Sequence, residues 1–106
     1  MTLNEYGACY QAILDNEDAG NTDEYGKFDR VNPKRSQRPD LHAFLLLDEL
    51  VPEPGKDIVT GAKHGEFYLS IDVEELAKVI TKEQVLELRR CGVRYDSHFG
   101  CLAMFS

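Results

Sequence analysis

At 106 residues the chain is long enough for one domain with a core of its own and too short for two. Its 19 acidic side chains outnumber 12 basic ones, giving a formal charge of −7. That balance disfavours a phosphate backbone, which needs local Lys and Arg to displace its counterions, and favours a partner with a basic surface.

The opening MTLNEYGACY has no basic region followed by an apolar run, so no signal peptide is expected there. In it, Thr2 and Glu5 have the S/T-x-x-E spacing of a capping box, and Leu3, Tyr6, Tyr10, Ile13 and Leu14 follow at helical intervals. A helix over residues 2–14 is predicted. Residues 15–38 have no apolar periodicity. DNEDAGNTDE holds five acids and no base, and KFDRVNPKRSQR holds five bases and one acid, so the segment reads as a flexible charged loop. Two uses suggest themselves: Asp15, Glu17, Asp18, Asp23, Glu24 and Tyr25 facing a protein partner, or Lys34, Arg35 and Arg38 docking on an anion.

Pro39 suits the first turn of a second helix over 39–51, with Leu41, Phe44, Leu45, Leu47, Leu50 and Val51 as its apolar face. PEPG ends it. DIVTGAKHG reads as a short third helix with Gly65 just past its end. In EFYLSI, Phe67, Leu69 and Ile71 alternate with polar positions, the period of a half-buried strand. Asp72 with Glu75, and Thr81 with Gln84, cap two consecutive helices, VEELAKVI and KEQVLELRR, with Gly92 closing the second. The tail supplies a β-hairpin, VRYD and CLAMF joined by SHFG. The expectation is a single α+β domain over 1–106: a three-stranded antiparallel sheet from 66–71, 93–96 and 101–105, covered by helices.

Chemistry-bearing motifs are scarce. The longest apolar run, AFLLL, is far short of the roughly 20 residues that span a bilayer, so a soluble cytoplasmic protein without a membrane partner is expected. Cys9, Cys91 and Cys101 are odd in number and read as reduced thiols. Cys91, His98 and Cys101, with Asp96 between them, lack both zinc-knuckle spacing and a fourth ligand. As a Cys–His nucleophile pair they lack an orienting group. Phosphate-loop and calcium-loop spacings are missing as well, so no catalytic residue, metal or cofactor is assigned.

From residue 57 the predicted order of helix, strand, helix, helix, strand, strand resembles the winged-helix family. The resemblance implies that KEQVLELRR is a recognition helix, that DSHFG is the wing tip, and that Lys82, Arg89, Arg90 and Arg94 meet nucleic acid in a DNA-binding regulator, with a homodimer possible. The sequence departs from that pattern in two ways. Only Thr81 separates the two helices, and residues 57–106 hold eight acids against six bases. The chain as a whole, short, without a catalytic motif and ending ELRRCGVRYDSHFGCLAMF, is similar in type to small phage or prophage accessory proteins. That resemblance implies a non-enzymatic inhibitor of a host protein, such as a nucleic-acid-binding or anti-phage defence complex, and assigns no residues. Acidic side chains on a small rigid domain can imitate a nucleic acid backbone in such a role.

Overall fold

Thr2 closes the first helix as its spacing predicts: its Oγ1 accepts the N–H of Glu5 at 3.1 Å, and its own N–H donates to Glu5 Oε1 at 2.8 Å. In the computed structural model, which describes Met1–Phe105, this helix, α1, runs over Leu3–Asp18. It therefore extends four residues past its predicted end. Apolar periodicity marks only the buried face of a helix, and the polar DNED carries one more turn, although Asp and Asn are weak helix formers, until Gly20 takes a φ of 77°. Residues 19–38 are irregular apart from a 3₁₀ turn at Phe28–Arg30. They nonetheless bury Glu24 and Val31.

Helix α2 spans Pro39–Leu50, with Pro39 in its first turn as predicted. Its buried face is the predicted one only in part: Leu47 is buried and Phe44, Leu50 and Val51 pack against the core. His42, Ala43, Leu46 and Leu47 point inward, whereas Leu41 and Leu45 remain more than 40% exposed. An unbroken run such as AFLLL has no direction of its own, and the position of His42 between neighbouring elements sets the rotation.

The segment predicted as a third helix is a strand. β1, Val59–Lys63, pairs antiparallel with β2, Glu66–Leu69, in the register Lys63↔Glu66, Ala62↔Phe67 and Gly61↔Tyr68. The connecting residues are His64 and Gly65 at φ of 56° and 76°. A two-residue hairpin of the I′ kind requires positive φ at both positions, and histidine is among the few side chains that tolerate it. Gly65 thus makes a hairpin turn where a helix end was expected, and β-branched Val59 and Thr60 suit the strand. The register shifts between Val59 and Gly61.

Helices α3, Val73–Val79, and α4, Lys82–Arg90, follow with the expected caps. Asp72 accepts the N–H groups of Glu74 and Glu75, and Thr81 and Gln84 form a capping box. β3, Arg94–Asp96, and β4, Cys101–Phe105, form the C-terminal hairpin. The sheet is four-stranded and antiparallel, in the order β1-β2-β4-β3. The α+β class and the hairpin stand; three strands become four.

One face of the sheet carries Phe67, Leu69, Tyr95, Leu102 and Met104. Tyr6 and Tyr10 of α1 meet Tyr95 edge-on at 5.1 and 6.1 Å, and Phe44 of α2 meets Phe67 at 6.4 Å. α3 packs on α1 and α2, and α4 packs on α1. The core lies between these helices and that face, around Tyr6, Leu46, Leu76, Leu88 and Leu102. On the opposite face lie Gly61, Lys63, Glu66, Tyr68, Arg94, Asp96, Cys101, Ala103 and Phe105, as the register requires.

Candidate functional site

The charged residues singled out in the sequence converge, and they do so on one another. α1 delivers Glu17, the segment after it delivers Glu24 and Tyr25, and the last turn of α4 delivers Arg89 and Arg90. Arg89 Nη2 donates to Glu17 Oε1 at 2.7 Å, and Nη1 donates to the Tyr10 hydroxyl at 3.0 Å. The guanidinium lies 4.4 Å from the centroid of the Tyr25 ring. Glu17 Oε2 also accepts the backbone N–H groups of Glu24 and Tyr25, at 3.0 and 2.9 Å. One carboxylate therefore holds both an arginine and the turn after α1.

Beside this pair, Glu24 Oε2 takes Arg90 Nε, while Oε1 takes Arg30 Nη1 at 2.9 Å and the Thr22 hydroxyl at 2.6 Å. These contacts, Arg90 foremost and Thr22 next, hold the Glu24 carboxyl down at about 2. Burial alone would raise Glu17, but Arg89 and the two backbone donors outweigh it, and its net shift is also downward. The result is a clamp: Glu17, Glu24 and Arg89 largely enclosed, Arg90 and the exposed Arg30 at its rim, pinning the segment after α1 onto α4.

The clamp sorts the predicted site residues. Glu17 and Glu24 face inward, and Tyr25 is half-buried beneath Arg89. Asp15, Asp18 and Asp23 are exposed; Asp15 accepts from Gln11 at 2.9 Å, and Asp23 lies 3.4 Å from Lys27. Among the nucleic-acid candidates, Arg89 and Arg90 belong to the clamp, Arg94 lies 2.8 Å from Glu66, and Lys82 stays exposed at the start of α4. Lys34 donates to the Val31 carbonyl, and Arg35 pairs with Glu49.

Two residues that sequence reasoning passed over tie α2 to α4. His42 is fully buried. Its Nδ1 accepts the Arg35 N–H at 3.0 Å, which puts the ring proton on Nε2, 2.6 Å from Glu87 Oε2. The Phe28 ring meets His42 edge-on. A histidine inside an apolar helical run was the available signal, because a buried polar group needs partners.

The cysteines do not assemble: Cys91 is buried after α4, Cys101 sits on the outer face of β4, and His98 is exposed in the hairpin turn. Among the described residues no group of three or more His, Cys, Asp or Glu could hold a metal ion. Nor is any described helix long and apolar enough to cross a membrane. The clefts are shallow. One of about 480 Å³ lies between α1 and α4, along Ala8, Cys9, Ala12, Ile13 and Leu86, and another of about 430 Å³ lies against Gly61, Tyr68, Phe99 and Cys101. Comparison of the chain with family models, with curated proteins and with solved structures returned no match to any of them.

Proposed function

We propose that this chain is a non-enzymatic protein-binding module of acidic character, a phage-type inhibitor that occupies the basic, nucleic-acid-binding surface of a host or defence complex in the cytoplasm. The observation that carries the reading is the clamp. Arg89, Arg90 and Arg30 are neutralised within the molecule by Glu17 and Glu24, so the cations best placed for phosphate are already engaged. Asp15, Asp18 and Asp23 project from the end of α1 and the turn after it, with Asp29 a few residues on, and all four are exposed. Their carboxylates attract a basic surface and steer its approach. The contacting set is accordingly narrowed to Asp15, Asp18 and Asp23, while Glu17, Glu24 and Tyr25 hold the platform from beneath.

The test is a tagged pull-down from host lysate with nuclease present, followed by the triple variant Asp15→Lys, Asp18→Lys, Asp23→Lys. A stoichiometric protein partner should survive nuclease, and the triple variant should lose it while keeping its circular dichroism and melting temperature. A partner held equally well by the variant would exclude the acidic surface. The winged-helix reading leaves Lys82 as the exposed cation of its recognition helix. Salt-sensitive DNA binding by the wild type, weakened by Lys82→Ala, would favour that reading instead.

A further inference from the structure

The outer face of the sheet carries no helix, and it differs in character from the rest of the molecule. Phe99 and Phe105 are 66% and 58% exposed there. Phe99 meets Tyr68 edge-on at 6.0 Å, and Arg94 lies across Phe105 at 4.1 Å. Its charges balance: Lys63 and Arg94 against Glu66 and Asp96, in a chain of formal charge −7. A second copy is repelled by most of the surface but not by this face.

The register fixes where these charges stand. Lys63, Glu66 and Phe105 form one row across β1, β2 and β4; Gly61, Tyr68, Ala103 and Arg94 form the next; Cys101 and Asp96 form the third. Lys63 and Asp96 therefore occupy opposite corners of a patch roughly 14 Å on each side, from the usual strand spacing and rise. Lys63 has no partner among the described residues. Asp96 Oδ1 accepts the N–H groups of His98 and Phe99, and among the described residues Oδ2 has no partner of its own.

We infer that two copies of this chain pair through this face, related by a two-fold axis in the plane of the interface and across the Lys63–Asp96 diagonal. That operation brings Lys63 of each copy over Asp96 of the other. Arg94 and Glu66 stay paired within each copy, 2.8 Å apart, and leave the Lys63–Asp96 contacts as the charge pairs between copies. On a nearly square patch such an axis turns the two sets of strands almost perpendicular, one of the two ordinary ways in which sheets stack. The face is smaller than the ~800 Å² per partner of a standard interface, so the association is a weak one.

Sedimentation velocity of the whole chain over a concentration series to about 500 µM should show a shift from 12.0 kDa toward twice that mass. Lys63→Glu alone and Asp96→Lys alone should each weaken the dimer by about tenfold or more, and the two together should restore it to within a few-fold of wild type. Phe99→Ser with Phe105→Ser should leave a folded monomer by circular dichroism. The Asp15, Asp18 and Asp23 reversals should leave the dimer intact, which separates this interface from the acidic surface. A wild type that stays monomeric throughout, single reversals without effect, or a double reversal that fails to restore association would each overturn the inference.

Discussion

Glu24→Gln keeps the size and most of the hydrogen-bonding capacity of the side chain while removing its charge from between Arg30 and Arg90. In the folded protein that carboxyl is held at about 2, against an ordinary value of 4.5. Fully transmitted, the difference would carry about 3 kcal/mol. Arg30 and Arg90 are 45% and 25% exposed, however, and solvent screening reduces the figure to roughly 1–2 kcal/mol. The folded carboxyl titrates below the unfolded one. Its contribution is therefore complete above pH 4.5 and is lost as the pH falls toward 2. Urea unfolding followed by circular dichroism should show the variant less stable by roughly 1–2 kcal/mol at pH 7, with a melting midpoint lower by about 5–15 °C. That gap should narrow steadily between pH 4.5 and 2.5. A variant as stable as wild type at pH 7, or a gap of constant size down to pH 2.5, would refute the clamp as a source of stability.

Burial pushes the Cys91 thiol up to about 12. A thiol reagent at pH 8 should accordingly label Cys9 and Cys101 in the native protein and reach Cys91 only on unfolding; native labelling of all three at similar rates would contradict its placement. His42→Leu leaves the Arg35 N–H and the Glu87 carboxylate without their shared partner, and should lower stability by roughly 2–4 kcal/mol in urea titrations, which a loss under 0.5 kcal/mol would contradict.

What the sequence disclosed was local. Both capping boxes, the proline at the start of α2, the glycine after α4 and the C-terminal hairpin are each specified within a few residues, and each is present. β1 was missed because His-Gly makes its turn in place of the familiar Asn-Gly, and a strand containing Gly61 has a broken alternation. The inward face of α2 was read only in part, with Leu41 and Leu45 placed on it and His42 and Leu46 left off, because five consecutive apolar residues do not indicate which side is buried. The clamp was hidden for a different reason. Arg89 and Arg90 suit a helix C-terminus and Glu17 and Glu24 suit an acidic stretch, so neither group needed the other until the fold placed them together. The two readings of those residues, partner-facing acids and phosphate-facing arginines, drew on opposite halves of a single ion-pair cluster.

The clamp also bears on the time course of folding and opening. Its contacts join positions 66 and 72 residues apart in the chain, whereas the hairpins and the pair α3 and α4 close over short distances. A folding nucleus is built from local structure and a few long-range hydrophobic contacts, and an ion-pair cluster that needs α1, the segment after it and α4 already in place is expected to close after the rate-limiting barrier. Interactions made after the barrier scarcely change the folding rate and act on unfolding instead. Glu17 and Glu24 thus set how long the native molecule persists once formed. Loosening them would shorten that lifetime while the chain still folded as quickly as before.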